Sequence, residues 1–193
     1  RPYEAEWASA LLKLKQYIEQ PKGDEPMADK SITTATLRDI HIEQNITINA
    51  PPEPVFEALA QDISVWWTLP YFHSTETRQI VLEPKVGGRF YEDLGDDEGL
   101  LLATVMRLKR PEELQLMGPL GIATPVQGVV IFRLAAQAEA TVLSLSHRII
   151  GEVNEDIEAA YSQGWSELLG TRLKNFVEHG TRYNLAAGPA TEP

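Results

Sequence analysis

The order of the apolar patterns along this chain constrains its fold more than any other sequence feature. A strand-like run of alternating residues spans 37–48, and a short helical stretch ending in Trp66-Trp67 follows it. Six more strand-like runs come at short spacing, and a long amphipathic segment at 155–178 ends the series. Short connections between successive strands favour an antiparallel meander. The order therefore predicts an α+β fold, in which seven strands form a sheet that only the last helix is long enough to cover.

Turn-forming residues bound most of these elements. Prolines at 51, 52 and 54 end the first strand, and Pro54 is suited to open a short helix at 54–59, before a second helical turn at 63–67. Asn154 is a suitable N-cap for the last helix, and His179-Gly180 is suited to end it. The other predicted strands span 79–82, 89–94, 100–109, 113–117, 126–134 and 141–150.

The two ends of the chain differ from this central part. An apolar stripe of Tyr3, Trp7, Leu11, Leu14 and Ile18 predicts an amphipathic helix within residues 1–20. Residues 21–35 are polar and rich in turn formers, which indicates a linker, and residues 181–193 are expected to form a flexible tail. The main domain is therefore assigned to residues 36–180.

The N-terminal stripe repeats a spacing found near the other end. Tyr3, Trp7 and Leu11 match Tyr161, Trp165 and Leu169, each set separated by four residues. Two interpretations remain open. Two amphipathic helices can resemble each other by chance, or residues 1–20 are the closing helix of a truncated preceding copy of the same domain.

Composition excludes several classes of function. The chain has no cysteine, so disulfides and thiolate metal sites are excluded. Its formal net charge of -11 argues against nucleic acid or an anionic membrane as partner. Its apolar runs are far shorter than the ~20 residues of a membrane-spanning helix. We therefore expect a cytoplasmic protein without a nucleic-acid or membrane partner.

At this point the residues resemble the START-like, helix-grip superfamily, and within it the group named for the activator of the heat-shock-protein-90 ATPase. The resemblance covers about residues 40–179 and rests on the order of weak motifs at 46–51, 55–59, 66–67, 82–90, 107–116, 141–147 and 164–169. It implies a seven-stranded antiparallel sheet curved around the C-terminal helix, with two short helices after the first strand. It implies no single activity, because one fold can host many functions. Gly87-Gly88 lacks phosphate-loop spacing and is interpreted as a bulge or sharp bend.

Alternation on the strands predicts which side chains face the closing helix. The set is mostly apolar and aromatic, as in a small-molecule pocket, but a filled core without a ligand would have the same composition. Both interpretations stay open, and one register error would move a residue to the other face. The candidate ligand-binding residues are Trp66, Trp67, Phe72, Phe90, Met106, Phe132, Leu145, His147, Trp165 and Leu169.

His147 is the main polar candidate in this set. Its parity with Leu143 and Leu145 turns it inward, where it either orients a ligand or is a buried structural histidine with one partner, the second being favoured. The chain has no metal-binding histidine motif, so we predict no metal, no cofactor and no catalytic residue. The acidic cluster from Glu92 to Glu98 is expected to form a solvated hairpin tip.

Three functions follow from these expectations. The favoured one is binding of a hydrophobic or lipid-like small molecule in a cavity between the sheet and the closing helix. The first alternative, from the resemblance, is a protein-interaction module with a chaperone as partner and a place in the stress response. The second alternative is an enzyme of the cyclase or hydratase type, which is disfavoured because only His147 is available as a catalytic group.

Overall fold

In a computed structural model, residues 37–183 are described, so the predictions for residues 1–20 and 21–35 and for the tail beyond 183 lie outside the described residues. The first part of the fold contains β1 (Arg38–Ile48), α1 (Pro52–Ala60) and α2 (Ile63–Trp66). Six strands follow: β2 (Gln79–Leu82), β3 (Arg89–Gly95), β4 (Glu98–Lys109), β5 (Glu113–Gly118), β6 (Val126–Gln137) and β7 (Ala140–Gly151). The C-terminal segment is α3 (Glu155–Glu167), a π-helical segment (Leu168–Leu173) and α4 (Lys174–His179).

The seven strands form one antiparallel sheet in the order β1-β7-β6-β5-β4-β3-β2. From β2 to β7 each strand pairs with its neighbour in sequence, and β1 closes the order against β7. The buried side chains of β6 and β7 alternate with half-buried or exposed ones, as in a sheet with one covered face. The expected α+β helix-grip fold, with two short helices after the first strand, is confirmed.

The closing helix, residues 155–179, begins at the predicted cap. The Asn154 side chain accepts a hydrogen bond from the backbone N–H of Ile157 at 3.1 Å, and Gly180 ends the helix in the left-handed conformation that suits glycine. The π-helical segment was not predicted. Its wider turn takes up one extra residue, and Leu168, Leu169 and Leu173 within it are buried.

The expectation that Met106 faces the closing helix is wrong. Met106 is 45% exposed, whereas its neighbour Val105 is buried. The cause is a bulge, because Val105 pairs with Leu116 and Arg107 with Gln115, which leaves Met106 without an opposite residue. A second irregularity lies between β3 and β4, where Phe90 pairs with Ala103 and Tyr91 with Leu101. Leu102 therefore also has no opposite residue. Strict alternation from Leu100 therefore fails along β4.

The hairpin between β3 and β4 turns at Asp96 and Asp97, both of which have positive φ, as expected for a two-residue turn. Gly87 also has positive φ and lies in the turn before β3, where its N–H donates to the carbonyl oxygen of Val105 at 2.8 Å. Among the described residues, no helix has the length and apolar character that crossing a bilayer requires.

Candidate functional site

A cavity of about 210 Å³ lies between the closing helix and the segment that joins α2 to β2. We call this segment, residues 67–78, the mouth loop. Most of the cavity surface is apolar, and it opens to solvent. The lining residues are Trp67, Pro70, Tyr71, Phe72 and His73 of the mouth loop, Leu102 and Leu120 of the sheet side, and Ala160, Tyr161, Gly164, Trp165 and Leu168 of the closing helix.

Aromatic packing forms the floor of this cavity. The rings of Trp67 and Trp165 meet edge to face, with centroids 5.5 Å apart. The ring of Phe90 packs edge to face against Trp67 at 5.2 Å, and that of Phe132 packs in the same way against Trp165 at 5.7 Å. Edge-to-face pairs of this kind contribute about 1 kcal/mol each beyond their buried area. The floor is therefore held by contacts between the protein's own aromatic side chains.

The ten residues predicted for ligand binding fall into three groups. Trp67, Phe72 and Trp165 line the cavity. Met106 is exposed on β4, away from it. The others are buried and belong to the core behind the cavity: Trp66, Phe90, Phe132, Leu145, His147 and Leu169. Trp66, for example, points its indole away and donates from Nε1 to the carbonyl oxygen of Ala58 at 2.9 Å.

His147 lies behind the aromatic floor. Its Nδ1 accepts a hydrogen bond from Nε1 of Trp165 at 3.0 Å, while its Nε2 is buried without a hydrogen-bond partner among the described residues. Burial lowers the pKa of His147 to about 4, so the ring is neutral near pH 7. With one partner and no access to the cavity, this imidazole has the geometry of a structural histidine.

Tyr161 supplies a polar atom on the helix side of the cavity. Its hydroxyl donates to the carbonyl oxygen of Leu120 at 2.7 Å and thereby joins the closing helix to the loop after β5. Burial raises the pKa of Tyr161 to about 12, so the phenol stays protonated under ordinary conditions. Its ring lies 5.5 Å from that of His147.

The expectation that Glu92 lies in a solvated hairpin tip is wrong, because Glu92 is completely buried. Its Oε1 accepts from the backbone N–H of His73 at 2.8 Å and lies 2.6 Å from Nδ1 of that ring, while its Oε2 accepts from the hydroxyl of Thr77 at 2.5 Å. Burial alone raises the pKa of the Glu92 carboxyl, but these hydrogen bonds outweigh it and hold the pKa below its usual value. The ionised Glu92 thus anchors the second half of the mouth loop.

Arg172 anchors the first half of the mouth loop. Its Nη1 donates to the carbonyl oxygens of Thr68 and Leu69 at 3.3 and 3.1 Å, and to the hydroxyl of Thr68 at 3.1 Å. The guanidinium also stacks on the rings of Tyr71 and Tyr183, 4.9 and 5.0 Å from their centroids. Arg172 belongs to the π-helical segment, so this anchor of the cavity mouth lies within the helix irregularity.

Sequence reasoning missed His73, Tyr71 and Leu120, which come from irregular segments with no periodicity to indicate their direction. One signal could have found His73. Glu92 has the same parity on β3 as the inward Phe90, and a carboxylate on a buried face requires a hydrogen-bonding or cationic partner. A search for that partner would have led to the histidine of the mouth loop.

Comparison with known proteins agrees with this architecture. Residues 49–178 match the family described as Activator of Hsp90 ATPase homolog 1-like protein. The matched range contains the whole cavity lining, from Trp67 to Leu168. A search of curated proteins found no significant match.

Solved structures with the same fold are distant in sequence. The solution structure of the Aha1 dimer from Colwellia psychrerythraea is 21% identical, with a TM-score of 0.54 over 74% of this chain and 98% of that one. CalU16 from Micromonospora echinospora is 18% identical, with a TM-score of 0.54 over 79% and 88% of the two chains. An uncharacterised protein from Rhizobium leguminosarum is 16% identical, with a TM-score of 0.58 over 76% and 99%. At these identities the likeness shows the fold alone.

Proposed function

The chain belongs to the family of Activator of Hsp90 ATPase homolog 1-like proteins, and we propose that it binds a small, largely apolar molecule in the cavity beneath the mouth loop. The observation that supports this most directly is the cavity itself, about 210 Å³ of aromatic-lined space that the protein's own side chains leave unfilled. A core that only stabilised the fold would be packed more closely, because interior voids cost stability.

The volume limits the size of the ligand. A closed apolar cavity of ~150 Å³ takes up benzene, and pockets for drug-sized molecules begin near ~300 Å³. At about 210 Å³, this cavity suits a molecule with one or two fused rings. Since the cavity opens to solvent, a substituent can extend past the mouth loop. A lipid-like ligand with a long acyl chain, which the sequence allowed, fits this volume less well than such a ring system does.

Tryptophan fluorescence offers a direct test, because Trp67 and Trp165 both line the cavity. Titration with indole-free aromatic compounds, from toluene to naphthalene, should quench or shift the emission and raise the melting temperature. A ligand at one hundred times its dissociation constant adds ~2.7 kcal/mol to the free energy of unfolding. We expect naphthalene-sized compounds to give the largest response.

Gly164 provides a variant that closes the cavity. A Cβ at Gly164 would have one neighbour, the Cε1 atom of Tyr71 at 3.8 Å, so the longer side chain of Gly164→Met would extend into the cavity. Gly170→Met is the matched control, since a Cβ at Gly170 has no neighbour within 4 Å and this glycine does not line the cavity. Binding should be lost in the first variant and retained in the second. Flat responses of the unaltered protein across the whole series would exclude the proposal.

A second candidate function, as a protein-interaction module, is supported by large apolar side chains exposed on β4 and β5, namely Leu101, Met106 and Met117. Large apolar side chains exposed on a sheet face are typical of protein contacts. Its test is stimulation of the Hsp90 ATPase by this chain, and by a Met117→Lys variant in which the face carries a charge. Stimulation that the variant reduces would support this function, and no stimulation would exclude it.

A further inference from the structure

The ring of His73 is held in one orientation. Nδ1 lies 2.6 Å from Oε1 of Glu92, and the backbone N–H of His73 donates to the same oxygen at 2.8 Å. Because Glu92 is ionised and its oxygens only accept, Nδ1 carries the proton of this hydrogen bond, and Nε2 is a hydrogen-bond acceptor whenever the ring is neutral. The buried carboxylate therefore determines the tautomer of an imidazole that lines the cavity.

The Nε2 edge of this ring remains available to a ligand. In the part of the chain that the structure describes, Nε2 of His73 receives no hydrogen bond, and the side chain is 35% exposed. The ring packs over Gly121, where a Cβ would overlap Nε2. A residue larger than glycine at position 121 would therefore displace the imidazole. Glycine at this position allows the His73 ring to stay in the cavity lining, to which Leu120 also belongs.

The other titratable groups near the cavity are not equivalent to His73. His147 is neutral, lies behind the aromatic floor and already accepts a hydrogen bond from Trp165. Tyr161 is protonated, and its hydroxyl is used on the carbonyl oxygen of Leu120. Glu92 is enclosed by the donors of the mouth loop and cannot reach a ligand. Among these groups, His73 is the one with an unused acceptor at the cavity.

We propose that the cavity selects an aromatic molecule with an acidic hydroxyl, a phenol or an enol conjugated to a ring, and that Nε2 of His73 accepts its proton. This inference rests on the proposed function as a binding protein. In the step, the ligand O–H bond breaks and an Nε2–H bond forms, and the electron pair remains on the ligand oxygen. The resulting imidazolium lies between the ligand anion and the carboxylate of Glu92, which stabilises it as in other histidine–carboxylate pairs. The aromatic ring of the bound ligand contacts Trp67 and Trp165.

The pair of 4-nitrophenol and nitrobenzene tests this inference on the full chain. The two differ by one hydroxyl, and the phenolate form of 4-nitrophenol absorbs visible light, whereas the phenol form does not. At a pH where 4-nitrophenol is half ionised in buffer, the protein-bound molecule should have a phenolate-to-phenol ratio about tenfold higher, which corresponds to a shift of one pKa unit in the ligand. The melting temperature and tryptophan fluorescence report the binding of either compound.

A His73→Asn variant separates the base from the fold. Asparagine keeps an N–H donor for Glu92 but has no atom that accepts a proton, and His41→Asn is the control at an exposed histidine of β1. In the His73→Asn variant, bound 4-nitrophenol should be less ionised than in buffer, because an apolar site favours the neutral form. Nitrobenzene binding to the same variant measures how far the cavity itself is preserved. Equal ionisation in both variants would overturn the role of His73.

The two proposals fail in different ways. If nitrobenzene binds and 4-nitrophenol is neither preferred nor ionised, the selection of acidic hydroxyls is wrong and the apolar binding function stands. If neither compound binds, the binding function is wrong and the selection of acidic hydroxyls falls with it.

Discussion

The indole Nε1 of Trp165 donates a hydrogen bond of 3.0 Å to Nδ1 of His147 and so joins the closing helix to β7 inside the core. The two rings are nearly perpendicular, 89° apart, with centroids at 5.8 Å. Because Nδ1 accepts, the proton of the neutral imidazole lies on Nε2, which has no acceptor among the described residues. This hydrogen bond positions the tryptophan that forms the cavity floor, and its histidine must remain unprotonated to accept it.

We therefore expect the stability of the domain to depend on pH through His147. Burial lowers the pKa of His147 to about 4 in the fold, while in the unfolded chain it stays near its ordinary value of 6.5. Between these values the unfolded state binds more protons, so the free energy of unfolding falls as the pH decreases from about 6.5 to 4, by about 3 kcal/mol in all. Urea unfolding at a series of pH values measures this slope.

A His147→Asn variant should be less stable at pH 7 but should lose that slope, because the amide oxygen accepts from Trp165 and does not titrate. His41→Asn, an exposed histidine on β1, is the control and should keep the slope. An unchanged pH dependence in the His147→Asn variant would contradict the assignment.

Glu92→Gln should destabilise the fold strongly. The ionised Glu92 is buried and accepts hydrogen bonds from His73 and Thr77, and a neutral amide leaves one of these donors unpaired or opposed by its own N–H. We expect a loss of about 3 kcal/mol, the upper end of what hydrogen bonds to a buried charged group contribute. Glu98→Gln, exposed in the same hairpin, should change stability by less than ~0.5 kcal/mol.

Denaturant unfolding at pH 7 distinguishes these variants. Because the pKa of Glu92 is lowered in the fold, its contribution is present above the ordinary value of 4.5 and is lost as the pH falls below it. A Glu92→Gln protein as stable as Glu98→Gln would show that the carboxylate is not the anchor of the mouth loop.

Two glycines should respond to alanine in opposite directions. Gly164 lies in the middle of α3, and its nearest neighbour to a Cβ is 3.8 Å away, so Gly164→Ala should stabilise by about 0.5–1 kcal/mol through helix propensity. Gly118 lies at the end of β5, where a Cβ would overlap the carbonyl oxygen of Leu102. Gly118→Ala should therefore destabilise by about 2 kcal/mol. Thermal unfolding of both variants checks the signs, and a stabilised Gly118→Ala protein would contradict the packing.

Arg172→Lys should loosen the mouth loop without unfolding the domain. Lysine keeps the charge, but its ammonium group cannot stack on Tyr71 and Tyr183 as the planar guanidinium does. It also cannot contact Glu167 while it donates to the loop, as Nε and Nη1 of Arg172 do together. We expect about tenfold faster hydrogen exchange at the amide of Tyr71, which is bonded to the carbonyl oxygen of Thr68, as local opening becomes easier. Arg133→Lys is the control, because the exposed Arg133 forms an ion pair with Glu113 away from the mouth loop. Equal exchange in both variants would show that Arg172 does not hold the loop.

The strands illustrate how far sequence reasoning reaches. The prediction for β2 matches its observed range, Gln79–Leu82, and the predicted range of β7 differs from the observed one by one residue at each end. Both could be predicted because alternation and flanking turn residues act locally. On β4, alternation predicted the wrong face for Met106. The bulge arises where this strand meets β5, a relationship between two strands that the pattern of either one does not contain.

The order of the strands, the amphipathic closing helix and the interior group of aromatic side chains could be predicted from the amino-acid sequence, since they follow from periodicity, turn chemistry and burial of apolar surface. The sequence also contained the resemblance to the family that the comparisons support. Which aromatic side chains line the cavity and which fill the core became clear from the folded arrangement. The same arrangement decided that Glu92, Arg172 and His73 define the mouth. These roles depend on contacts between residues far apart in the chain, and such contacts leave no local pattern.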